Sequence, residues 1–169
     1  MSKPLPASYP TYFQRYLDQV EEEDLSIAFQ NQSSGIKQFL STIDEAKSTY
    51  AYAEGKWTLK EVLQHIIDAE RIFNYRALCI SRKEKNPLPG FDENEYAANS
   101  NGNARKWQDL VDEFITVRKG TEIMFNSFTG EMLENSGLSN NNPITVKSLG
   151  FITLGHFNHH KRIIEERYL

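Results

Sequence analysis

His156 and His160 stand four residues apart in the run Leu154-Gly155-His156-Phe157-Asn158-His159-His160-Lys161, which holds three of the chain's four histidines. On an α-helix, side chains at i and i+4 point the same way, so two imidazoles at this spacing can grip one metal ion. The remaining histidine, His65, lies on a separate amphipathic stretch and could complete a three-histidine site. Three protein ligands with a fourth position open is the layout of catalytic rather than structural zinc-type sites. A metallopeptidase helix would carry a glutamate directly after the first histidine of the pair. Phe157 occupies that position here, which disfavours ordinary zinc-peptidase chemistry.

The helical wheel states what this site requires. With His156 at zero, His160 falls at about +40°, Leu149 at about +20° and Ile163 at about −20°, so the pair lies inside the apolar arc. His159, at about −60°, sits at the edge of that arc; a pairing of His156 with His159 at i, i+3 is the alternative. On its own helix His65 shares a flank with Ala69, at about 40°, and Ile72, at about −20°. An inward histidine is ordinarily a hydrogen-bonded core residue. Three aimed at one interior each lose about 1–3 kcal/mol if left unpaired, and one metal ion would satisfy all three, provided that the two helices are neighbours.

Proline-rich residues 1–23 are expected to form an arm or short helix, ahead of a bundle over residues 24–169. Asp24 is placed to cap a first long helix whose stripe runs Leu25, Ala28, Phe29, Gln32, Ile36, Phe39, Leu40 and Ile43. Residues 44–56 read as a connection. Thr58-Leu59-Lys60-Glu61 is a capping box opening a second helix, with the stripe Val62, Ile66, Ala69, Phe73, Ala77 and Ile80 and an end near Arg82 to Lys85. Glu84 to Asn103 forms a long crossover or lid, with Phe91 and Tyr96 to pack it. A third helix is expected from about Ala104 to Phe128, then a turn-rich break from Asn135 to Pro143. Thr145 caps a last helix that runs to about Arg167. No segment sustains period-two alternation, and the prediction is an all-α four-helix bundle.

Composition narrows the function. The 169 residues suit one domain. A net charge of −4 argues against a nucleic-acid binder. Cys79 is the only cysteine, so no intrachain disulfide forms and a reducing compartment fits. The opening residues lack the apolar core of a secretion signal and no stretch is apolar enough to span a membrane, so a cytoplasmic protein is expected.

Lys56-Trp57-Thr58-Leu59-Lys60-Glu61-Val62-Leu63-Gln64-His65, continuing to Asp68-Ala69-Glu70-Arg71 and Tyr75-Arg76, resembles the second helix of the DinB/YfiT-like superfamily of metal-dependent enzymes. Gly155-His156-Phe157-Asn158-His159-His160 with Glu166-Arg167-Tyr168-Leu169 resembles its last helix, and Pro87-Leu88-Pro89-Gly90-Phe91-Asp92 its long connection. The resemblance implies an up-down-down-up bundle, commonly a homodimer. It implies a divalent metal, nickel or zinc with manganese as a further option, on His65, His156 and His160. It also implies S-transfer with a low-molecular-weight thiol such as bacillithiol or mycothiol, or thiol-dependent isomerisation. The expected function is thus thiol-dependent transferase or hydrolase chemistry on a small molecule, with a thiol or water at the open metal position and no catalytic residue assigned. The alternatives are a non-catalytic bundle that is stabilised by or senses a metal, and a metal-free scaffold of hydrogen-bonded histidines. Asp68, one turn from His65, could orient a ligand, accept a proton or pair with Arg71 or Arg76. Tyr75, Tyr96 and His159 could line a pocket. Cys79 is expected to pack as a small apolar residue.

Overall fold

The computed structural model describes residues 2–169. Two 3₁₀ turns and the short helix α1 (Gln14–Leu17) lead into α2 (Leu25–Leu40). There follow α3 (Glu45–Ser48), α4 (Leu59–Ser81), α5 (Glu93–Asn99), α6 (Trp107–Asn126), α7 (Gly130–Glu134), strands β1 (Ser136–Ser139) and β2 (Asn142–Thr145), and α8 (Val146–Arg167). The long helices begin where side chains satisfy their free amides. The Asp24 carboxylate accepts from the amides of Ser26 and Ile27 at 3.0 and 3.2 Å. Thr58 and Glu61 close the expected capping box at 3.2 and 2.8 Å, and Thr145 accepts from the Ser148 amide at 3.2 Å.

Cross-helix contacts fix the directions. Gln32 of α2 donates to the Leu154 carbonyl and to Asn158 of α8, and Lys161 lies over the Phe39 ring, so α2 and α8 run parallel. The Tyr168 hydroxyl donates to the Trp57 carbonyl just ahead of α4, while His65 meets His156 and His160, so α4 runs against α8. Glu70 with Arg118 and Asn74 with Thr121 make α4 and α6 parallel. The Trp107 indole on the Leu40 carbonyl and Phe29 against Phe125 make α2 and α6 antiparallel. The order is up-down-down-up. Because α4 and α6, successive among the long helices, are parallel, the chain between them must travel back the length of the bundle, and this is why the crossover is long.

Three expectations need correction. The crossover carries helix α5, capped by the Asp92 carboxylate on the amides of Asn94 and Glu95. The third helix starts at Trp107, not at Ala104, because Gly102–Ala104 forms a 3₁₀ turn and Arg105 is extended. Residues 136–145 are not merely a break but an antiparallel hairpin, Ser136 opposite Thr145 and Ser139 opposite Asn142. Its two-residue turn, Asn140-Asn141, has positive φ at both positions, the tight turn whose twist matches a hairpin. Leu88 of the crossover joins its edge, accepting from the Asn140 amide and donating to the Leu138 carbonyl, both at 2.9 Å.

The apolar core divides in two. One part joins the N-terminal arm to the first half of α8 and the second half of α4; the other joins the far ends of α2 and α8 to the first halves of α4 and α6. Between them lies a polar layer containing His65, His156, Glu70, Arg118 and Gln32. No helix among the described residues is long and apolar enough to cross a membrane.

Candidate metal centre

His65 comes from the second turn of α4, and His156 and His160 from the middle of α8. The antiparallel packing of these two helices brings the three imidazoles face to face. The Nε2 atoms of His65 and His156 are 3.0 Å apart, and those of His160 and His156 are 3.1 Å apart. One ligand nitrogen from each of the three lies within 4.8 Å of the others. Four-coordinate zinc with bonds of about 2.0–2.1 Å would set its nitrogens about 3.3 Å apart, so this cluster is already near a metal-binding size.

Burial holds the rings in the state that metals need. It pulls His65 down to about 4, and pulls His156 and His160 well below the usual imidazole value, where each ring's charge would also repel its neighbours'. All three are neutral at pH 7, with lone pairs free to coordinate. A Nε2 trio of neutral imidazoles is a donor set that suits zinc or nickel.

The i, i+4 pair, not the i, i+3 pair, joins His65. His159 turns to the arm, with Nδ1 3.4 Å from the Gln19 side-chain nitrogen, and lines the same cavity without joining the cluster. The arm reaches the site because Gly155 has no side chain: a Cβ there would lie 2.0 Å from the Tyr16 carbonyl oxygen. That close approach sets the Tyr16 ring edge-on to His156 and His159, with centroids at 5.3 and 5.4 Å. Trp57 packs on His65 at 4.9 Å and Phe73 on His156 at 5.8 Å.

The histidines open into a cavity of about 370 Å³ whose walls also include Tyr12, Arg15, Arg76, Phe91 and Glu93. Sequence spacing gave no sign of Arg15, Tyr16, Trp57 or Glu93, since three of them arrive from the arm and the crossover. Trp57, an aromatic between Lys56 and Thr58 at the head of the capping box, was the available signal. Tyr96 lines a different cavity, beside Asp68, and Tyr75 is exposed on the helix surface. Asp68 does not join the cluster. It accepts from Gln64 at 2.9 Å, while Arg71 pairs with Glu113 and Arg76 donates to the Pro89 carbonyl. Cys79 packs against the apolar core.

The sequence profile of the DinB superfamily matches residues 28–164. No curated protein matches the chain. Among solved structures, the chain is similar to YfiT from Bacillus subtilis, a probable metal-dependent hydrolase with an unusual four-helix bundle topology. The two share 13% identity at a TM-score of 0.69, over 96% of this chain and 95% of that one. It is also similar to a mycothiol-dependent maleylpyruvate isomerase, at 14% identity and a TM-score of 0.63, over 88% of this chain and 59% of that one. At these identities the likeness is one of fold.

Proposed function

This chain belongs to the DinB superfamily, and from that premise we propose that it is a metal-dependent enzyme acting on a small molecule, with His65, His156 and His160 as ligands. The observation that carries the reading is the meeting of three neutral imidazole nitrogens at the end of an open cavity. A purely structural site would be closed by a fourth protein ligand; here the histidines face space that a substrate can enter.

His65, His156 and His160 would hold a divalent ion, zinc or nickel first and manganese next, which would supply the Lewis acidity that makes a nucleophile of water or a thiol at neutral pH. The chain's own residues do the rest. The histidines hold their lone pairs toward one point, and the rings of Trp57, Phe73 and Tyr16 exclude bulk water from it. Glu93, the carboxylate among the cavity-lining residues, is the group available to take the proton released when water or a thiol becomes a nucleophile. The finer reading is S-transfer from a low-molecular-weight thiol, or hydrolysis. It is supported by the mycothiol dependence of one structural neighbour and the hydrolase description of the other. A homodimer in the cytoplasm, with residues 1–23 as an arm on the 24–169 bundle, completes the proposal.

The test is the metal content of untagged protein, measured by mass spectrometry beside His65→Ala, His160→Ala and Glu93→Gln. About one divalent ion per chain, lost in both histidine variants with the helical CD spectrum intact and kept in Glu93→Gln, is the expected result. Protein that takes up no nickel, zinc or manganese on reconstitution would overturn the proposal.

A further inference from the structure

The histidine cavity carries more positive charge than its walls cancel. Arg76 of α4 is 6% exposed, and among the described residues no carboxylate lies within ion-pair distance of it. Its guanidinium donates to the neutral Pro89 carbonyl at 2.8 Å and sits 5.8 Å from the Phe91 ring centre. A carbonyl occupies one of five N–H donors and leaves the charge in place, whereas buried charges are normally paired. Arg15 also lacks a carboxylate partner among the described residues and donates to the Tyr16 hydroxyl at 2.9 Å. Against these two cations the lining sets one acid, Glu93.

Arg76 is also in the right place. It follows His65 by eleven residues on one helix, about 20° around and about 16 Å along the axis, and both side chains line one cavity. A long side chain on a helix leans toward the N-terminal end, which here is the histidine end.

We propose that Arg76, assisted by Arg15, forms an oxyanion subsite that holds a carboxylate or phosphate of the substrate while its reacting end lies at the histidines. The guanidinium fork suits either anion. The subsite stands on the two arginines alone; only the placement of the reacting end rests on the metal reading above.

Calorimetry on metal-free protein with hexanoate, hexyl phosphate and hexanol tests the subsite. At least one anion should bind about tenfold or more tighter than hexanol. Arg76→Gln should abolish that preference, and the surface variant Arg15→Gln should weaken it. If Arg76→Gln fails to fold, Arg76→Lys keeps the charge and should keep a reduced preference. Anions that bind no tighter than hexanol, or a preference that survives in both glutamine variants, would overturn the proposal. A strap holding the crossover through Pro89 would lower stability without touching this preference. Repeating the titration on zinc-loaded protein with 6-mercaptohexanoate and 6-mercaptohexanol separates the two readings. If zinc does not bind but the anion preference holds, the metal reading fails and the subsite stands.

Discussion

A buried imidazole coordinates a cation only when it is neutral, and in this protein burial secures that state before any ion arrives. The same burial has a consequence for stability. The unfolded chain's histidines titrate near 6.5, whereas His65 in the fold titrates at about 4. Between those values the unfolded state binds more protons than the folded one, so folding stability of the metal-free protein must fall as pH drops from 6.5 toward 4. His65 alone is worth on the order of 3 kcal/mol of this loss, and His156 and His160 act in the same direction. Urea unfolding of metal-free protein at pH 7.5, 6 and 5 should show the midpoint falling in steps, with His65→Ala showing the smaller fall. A midpoint that stays level down to pH 5 would mean that the three rings are not buried together. At this scale the sequence was informative, because a helical wheel for each of the two helices placed its histidines inward. It could not show the Arg15 and Glu93 side chains that face them, since neither sits on a stripe whose period can be read.

At the scale of elements, the stripes of the four long helices and the caps of α2, α4 and α8 were legible because each rests on a local rule, whereas the first turn of α6 rests on the distant Glu45 carboxylate, which accepts from the Trp107 amide. A threonine three residues before a glutamate, or apolar residues in steps of three and four, needs no knowledge of the rest of the chain. The hairpin was not legible, since strands of four residues are too short to display alternation and Pro143 reads as a breaker. Its signal was the Asn140-Asn141 pair, residues that tolerate the positive φ of a tight turn. The close docking of the arm was hidden for a similar reason. Nothing in the sequence says that Gly155 must be bare, yet a Cβ there would overlap Tyr16 backbone, which cannot swing aside as a side chain can. Gly155→Ala should therefore push the arm off α8, cost about 1–3 kcal/mol and take the Tyr16 ring from His156. Thermal unfolding together with the rate of tryptic cleavage after Arg15 checks this. An unchanged melting temperature and cleavage rate would show that the arm is not seated on α8 as described.

Across the whole molecule, one polar layer ties all four long helices to a common register. Glu70 of α4 takes a two-pronged ion pair from Arg118 of α6 at 2.8 and 2.9 Å, both side chains being 2% exposed. Arg118 also donates to Gln32 of α2, and Gln32 donates to Asn158 and the Leu154 carbonyl of α8. Asn158 lies between His156 and His160 and donates to the Gln19 carbonyl of the arm at 2.8 Å. Pairs this distant in sequence cannot be matched by periodicity, so the layer was invisible before the fold. Buried ion pairs seldom add net stability over apolar residues of like volume, although breaking one is costly. The chain therefore gains position rather than strength from this layer, and the position gained is that of the histidines. Glu70→Ala, which strands the Arg118 charge, should destabilise the protein by about 3–5 kcal/mol. The double variant Glu70→Leu with Arg118→Met should recover most of that loss. It should nevertheless bind zinc at least about tenfold more weakly, because α8 is then free to shift against α4 by fractions of an ångström that a three-point site does not tolerate. Chemical denaturation and competitive zinc titration of the same samples separate the two effects. A double variant that is stable and binds zinc as tightly as wild type would mean that apolar packing alone sets the register.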